Sequence, residues 1–202
     1  MHVTFASGEL TLEGELTLHP GATRAAVICH PHPQYGGDMD NPVVRTVEAA
    51  LLQSDFATLR FNFRGTGRST GAYGGGIGEQ DDVRAAVAYL QEHSGVSFVT
   101  VTGYSFGAMV ALQAGANLAS VDRLIAVATP LAFIDLAFLA ACRKPKLFIV
   151  GDRDQYCSID ELTRQLVNVP DPKTQCILAG ADHFFYGQES AITAAITTFV
   201  GP

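Results

Sequence analysis

The sequence predicts an α/β architecture: a mostly parallel sheet covered by helices on both faces, entered through an antiparallel hairpin. Three observations predict it. Short runs that are apolar at nearly every position recur at 25–29, 124–128 and 146–150, as strands buried on both faces require. Between them lie segments with apolar residues at helical spacing, and this alternation is the pattern of a parallel sheet with crossover helices. Residues 2–18 instead alternate apolar and polar around Val3, Phe5, Leu10, Leu12, Leu16 and Leu18, with a break at Ser7-Gly8, which reads as a hairpin at the sheet edge.

Taken in order, the run at 25–29 ends in His30-Pro31-His32-Pro33-Gln34-Tyr35-Gly36-Gly37. Proline has no backbone N–H, so of residues 31–33 only His32 has one to donate. His30 reads as a buried structural residue bonded to loop backbone. The rival reading, His30 and His32 as two metal ligands, has no third ligand nearby. Asn41-Pro42 then opens a helix whose Val43, Val44, Val47, Ala50 and Leu51 share one face. A strand at 56–63 leads into Arg64-Gly65-Thr66-Gly67-Arg68-Ser69-Thr70-Gly71 and Gly74-Gly75-Gly76. Glycines and arginines after a strand invite a phosphate-cradle reading, but this is neither Gly-x-Gly-x-x-Gly nor a lysine-bearing Walker motif. The expectation is an internally bonded turn in which Arg64 ties loop carbonyls together. A helix follows at 79–92, with Glu79, Asp81 and Asp82 in its first turn, where they suit the helix dipole.

Val99-Thr100-Val101-Thr102 then meets Gly103-Tyr104-Ser105-Phe106-Gly107 and an alanine-rich apolar segment. This is the strand–turn–helix setting in which Gly-x-Ser-x-Gly exposes a nucleophilic serine. Side chains at Gly103 and Gly107 would collide with the neighbouring strand and helix in so tight a turn. Ser105 is therefore the candidate nucleophile, needing a base to take its proton. Phe106 N–H at the helix start and His32 N–H are the candidate donors of an oxyanion hole.

Beyond the strand at 124–128, residues 131–142 read as a helix, 146–150 as a strand, 159–167 as a helix, 175–179 as the last strand and 190–199 as the closing helix. Ligand sites in such sheets lie at the carboxyl ends of the strands. The loops there carry Gly151-Asp152-Arg153-Asp154 and Gly180-Ala181-Asp182-His183, bringing Asp152 or Asp154, and His183, to the edge that holds Ser105.

With these motifs laid out, the chain resembles the α/β-hydrolases. It is close to a compact bacterial group marked by His-Pro-His-Pro, Gly-Gly and Met-Asp-Asn, here 30–33, Gly36-Gly37 and Met39-Asp40-Asn41. The segment from Asn62 to Ser69 and Gly103-Tyr104-Ser105-Phe106-Gly107 match the same group, so the likeness spans nearly the whole chain. It implies an α/β-hydrolase fold without a lid domain and a catalytic triad in the order Ser105, Asp154, His183. The family's Gly-x-x-Asp selects Asp154 over Asp152, and its Gly-x-x-His matches His183. It departs at His30-Pro31, where the superfamily usually has His-Gly. The resemblance implies a serine esterase that forms an acyl-enzyme on Ser105 and needs no metal or organic cofactor. Epoxide and haloalkane hydrolases of the superfamily use an aspartate nucleophile, and dienelactone-type enzymes a cysteine.

The short stretch between 128 and 146 leaves no room for a lid, which predicts an open site and short-acyl esters. Tyr35, Phe133, Phe184, Phe185 and Tyr186 are candidates to line a shallow apolar pocket. Two other readings use the same residues: a thioesterase or peptidase-like acyl hydrolase on the same triad, and a binding module that has kept the fold without the chemistry.

Composition bounds these readings. A chain of 202 residues, 48% hydrophobic, buries a sizeable core and is expected to form one domain over 1–202. Its net charge of −7 argues against nucleic acid or an anionic membrane as partner, leaving a small-molecule ester as the expected one. Cys29, Cys142, Cys157 and Cys176 show no C-x-x-C pairing, which suits reduced thiols. With no basic, apolar leader visible at the start of the sequence, the expected location is cytoplasmic.

Overall fold

The computed structural model describes residues 1–201. One sheet of eight strands runs through it: β1 (His2–Ser7), β2 (Leu10–Thr17), β3 (Arg24–Cys29), β4 (Phe56–Phe61), β5 (Val99–Tyr104), β6 (Val121–Val127), β7 (Lys146–Gly151) and β8 (Lys173–Leu178). Their spatial order is β1-β2-β4-β3-β5-β6-β7-β8. β1 pairs antiparallel with β2, and β2 antiparallel with β4, while every other neighbour is parallel. This is the mostly parallel sheet with an antiparallel entry that the strand runs and the hairpin predict, and it agrees with the fold that the resemblance implies.

Two apolar layers sandwich the sheet. α1 (Pro42–Leu52) and α5 (Glu189–Val200) cover one face, packing Val44, Val47, Ile192 and Ile196 on Ile28, Ile125 and Ile149. α2 (Gly78–Ser94) and α3 (Phe106–Ala116) cover the other, packing Val87, Leu90 and Leu112 on Val27, Leu59 and Val101. Pro42 fills the first position of α1, where its missing N–H costs nothing, and the Asn41 side chain accepts Val43 N–H at 2.9 Å. α3 is buried nearly all round, and a Cβ at Gly115 would lie 2.6 Å from Leu124 Cδ2. Its apolar, small-residue composition is what allows it to sit against β5 and β6. The two edge strands lack double burial: β1 alternates exposed and buried residues, and β8 leaves Ile177 exposed.

Two expectations are corrected. Residues 131–142 do not form a helix; they hold only a 3-10 turn at Leu136–Leu139. Side chains take the N–H groups a helix would need: Asp135 Oδ1 accepts Ala137 N–H at 2.6 Å and Gln165 Oε1, from α4 (Ile159–Leu166), accepts Leu136 N–H at 2.7 Å. Arg64 does not tie loop carbonyls. It forms a two-pronged pair with the fully buried Asp82, Nε to Oδ2 at 3.0 Å and a terminal nitrogen to Oδ1 at 2.8 Å. Ser7 Oγ and Arg64 N–H donate to the same carboxylate at 2.8 and 3.0 Å. Asp82 is thus a buried bolt joining β1, the loop after β4 and α2, well beyond a helix-end charge. The glycine-rich loop has its own carboxylate: buried Glu79 accepts Gly74 N–H and Gly76 N–H at 2.7 and 2.8 Å. Two N–H groups of the glycine run that could have faced a phosphate are thus satisfied from within the chain.

Candidate active site

Ser105 occupies the turn between β5 and α3 with φ 55° and ψ −119°, a conformation that a side chain adopts at a cost of about 1–3 kcal/mol. The surroundings hold it there. Ser105 N–H donates to Val127 O of β6 at 2.9 Å, and Met109 N–H of α3 donates to Ser105 O at 3.1 Å. A Cβ at Gly103 would stand 2.3 Å from the Gly107 carbonyl, and one at Gly107 would stand 2.4 Å from Cys29 O and His30 O. Only glycine lets strand and helix close on the serine this tightly, as the motif requires.

The loop after β8 brings His183 over this turn. Its Nε2 lies 2.9 Å from Ser105 Oγ, and its Nδ1 lies 2.9 and 3.0 Å from the two oxygens of Asp154. Asp154 Oδ1 also accepts Tyr156 N–H and Cys157 N–H, at 2.8 and 3.1 Å. A carboxylate in contact with Nδ1 holds the proton there and leaves the Nε2 lone pair facing the serine hydroxyl. Both Asp154 and His183 are buried, while Ser105 is only half-buried.

Asp152, the alternative acid, does other work. Its Oδ1 accepts Gly180 N–H at 2.7 Å, capping the loop that carries His183. That loop and the one after β7 are pressed together: a Cβ at Gly151 would sit 2.2 Å from Ala181 O, to which Arg153 N–H donates at 2.9 Å. Tyr104, inside the serine motif, adds a support that the sequence reading missed. Its buried hydroxyl donates to His183 O at 2.9 Å, and burial pushes its acidity well below that of a free tyrosine. A hydroxyl beside a nucleophile, on a side chain pointing out of the same strand end, was the available signal.

The loop after β3 stands on the other side of Ser105. His30 is fully buried, with Nδ1 2.7 Å from Pro31 O and Nε2 accepting Phe63 N–H at 3.0 Å. Both ring nitrogens are thus engaged with backbone, and burial pulls its pKa down to about 4. The His32 ring sits 4.9 Å from the Phe106 ring and 5.0 Å from Tyr73, whose hydroxyl is 3.2 Å from His32 Nε2. It also accepts Gln34 N–H through Nδ1 at 3.3 Å. Among the described residues, neither Phe106 N–H nor His32 N–H is paired with a protein acceptor.

Of the candidate pocket residues, Tyr35, Phe133, Phe184 and Tyr186 are exposed. Phe185 is the correction: at 2% exposure it belongs to the core, packed edge-on to Tyr104 at 6.4 Å. Its positive φ of 56° turns it inward between two outward neighbours. A cavity of about 610 Å³ lies off this site, between the loops at 36–40 and 62–68.

A family model described as the alpha/beta hydrolase fold matches residues 27–141. An uncharacterized protein of Rickettsia prowazekii (strain Madrid E) is 32% identical over 184 residues, covering 87% of this chain and 77% of that protein. Among solved structures, an alpha-beta serine hydrolase homologue from Coxiella burnetii superposes with a TM-score of 0.92 at 30% identity, over 100% of this chain and 97% of its own. XC6422 from Xanthomonas campestris, described as an α/β serine hydrolase without lid, gives 0.85 at 29% identity over 99% and 93%.

Proposed function

The chain belongs to the alpha/beta hydrolase fold family, and on that premise we propose that it is a lid-less serine hydrolase that cleaves carboxylic esters with short acyl groups through an acyl-enzyme on Ser105. One observation carries this reading: the hydrogen-bonded series from Ser105 Oγ through both nitrogens of His183 to Asp154. A serine hydroxyl so placed has a base for its proton, and the base has an acid that steadies its charge.

In the proposed cycle His183 Nε2 takes the Ser105 proton as Oγ bonds to the ester carbonyl carbon. The carbonyl oxygen, now an anion, accepts hydrogen bonds from Phe106 N–H and His32 N–H. The tetrahedral species collapses, the C–O bond to the alcohol breaks, and the alcohol leaves with the proton from His183. Water then attacks the acyl carbon as His183 takes its proton. The acid departs and the proton returns to Ser105 Oγ. Thioesters fit the same cycle. No helix of the described residues is long and apolar enough to cross a membrane, and the four cysteines are free thiols. We place the enzyme in the cytoplasm, where such thiols stay reduced.

Intact mass after incubation with a fluorophosphonate tests the reading without knowledge of the substrate. One adduct per native chain, absent from Ser105→Ala and lost or greatly slowed in His183→Ala, is the expected result. A folded native chain that takes no adduct would overturn it in favour of a binding module.

A further inference from the structure

A line of aromatic rings runs outward from His183, the residue that hands a proton to the departing alcohol. Tyr156 meets the imidazole edge-on at 4.8 Å, and Phe133 extends from Tyr156 at 6.0 Å. Phe184 also meets the imidazole edge-on, at 5.8 Å, and Tyr186 stacks on Phe184 at 6.1 Å. The outer members are open: Phe133 is 76% exposed, Phe184 48% and Tyr186 81%.

This exposure is built in. Phe185 is anchored in the core, which turns its neighbours Phe184 and Tyr186 outward. Asp182 Oδ1 accepts Phe184 N–H at 2.9 Å and fixes the turn. Ala132 N–H donates to Tyr156 O at 3.0 Å, tying the loop that carries Phe133 to the loop that carries Tyr156. Three separate loops thus hold aromatic rings around one imidazole. Exposed rings held this way offer free faces and edges to a planar guest. Because the imidazole protonates the departing oxygen, the part of the substrate nearest these rings is the alcohol and not the acyl group.

We infer that the platform formed by Phe133, Tyr156, Phe184 and Tyr186 is a leaving-group subsite selective for aromatic alcohols, so that the substrates are short-acyl esters of aryl or arylmethyl alcohols. The inference rests on the serine-hydrolase reading. It assigns the selectivity to planarity, since each ring contact that stacks contributes about threefold to tenfold to kcat/KM.

The test compares benzyl acetate with cyclohexylmethyl acetate, two esters of one acyl group whose alcohols are similar in size and basicity and differ in planarity. The native enzyme is expected to favour benzyl acetate in kcat/KM by about tenfold. Phe133→Ala and Phe184→Ala are each expected to lower that ratio about threefold. Phe133→Leu keeps apolar bulk without a flat ring and is expected to lower it as well. A native ratio near one, or a ratio unmoved by all three substitutions, overturns the proposal. Size-exclusion chromatography of the same variants is the second readout. A change of oligomeric state with an unmoved ratio would assign the rings to contact between copies of the chain, and would overturn the proposal too. Fluorophosphonate labelling of the native chain separates this failure from failure of the serine-hydrolase reading, which would show as no adduct.

Discussion

Asp82 and Asp154 are both buried carboxylates at the same edge of the sheet, and they have opposite fates. Asp82 receives four donors, three of them from Arg64, and the guanidinium ends the series. Asp154 receives two backbone N–H groups and His183, and the imidazole passes on to Ser105. A guanidinium stays protonated and closes a network, whereas an imidazole can give and take a proton near neutral pH. The two carboxylates, buried to a similar degree, thus differ in the far end of their partner, and under the proposed function only Asp154 belongs to the chemistry.

Substitutions break the comparison in order of expected size. Ser105→Ala is expected to lower kcat for a short-acyl ester by about 10⁶, and Asp154→Asn by about 10⁴, because the amide no longer stabilises the imidazolium or fixes its tautomer. Rates normalised to folded protein, judged by circular dichroism, check both. Asp82→Asn should do the reverse. It removes the counter-charge of the half-buried Arg64 and is expected to cost about 2–3 kcal/mol in urea unfolding, with kcat per folded molecule changed by less than about threefold. A large loss of kcat with intact stability would mean that Asp82 belongs to the chemistry.

His30 sharpens the contrast between the two histidine settings. Its pKa is about 6.5 in an unfolded chain and about 4 in the fold. Between those values the unfolded chain binds the extra proton, so stability falls as pH drops through the window. This contribution is complete above about pH 6.5, is lost by about 3 kcal/mol on approaching pH 4, and then levels off. Urea midpoints at pH 7 and pH 5 are expected to differ more for the native chain than for His30→Asn. The smallest effect is expected at Asp152, whose carboxylate caps Gly180. Asp152→Ala should cost about 1 kcal/mol in stability and less than tenfold in kcat. A loss near that of Asp154→Asn would reverse the assignment of the acid.

Much of this was legible because it is local. Asn41-Pro42 starts a helix by satisfying its own first turn, and Gly103 and Gly107 admit the close approach around Ser105 wherever that pentapeptide follows a strand. The solid apolar runs and the alternating hairpin set the sheet, its parallel core and its antiparallel edge, because burial on two faces or one is written in the period of the side chains.

Tertiary structure decided what depends on partners distant in sequence. The 131–142 segment has helical composition, yet Gln165, 29 residues from Leu136, takes one of its N–H groups. Arg64 turned to Asp82 and Glu79 to the glycine loop because a buried carboxylate takes whichever donors the fold brings to it. Phe184, Phe185 and Tyr186 are three adjacent aromatics of similar appetite for burial, and only the backbone turn at Phe185 sends one inward and leaves two beside His183. Sequence alone determined the strands, the helices other than the one expected at 131–142, and the residue types at the sheet edge. Which carboxylate meets which histidine is a matter of distances of about 3 Å between loops far apart in the chain, and those exist only once the sheet has closed.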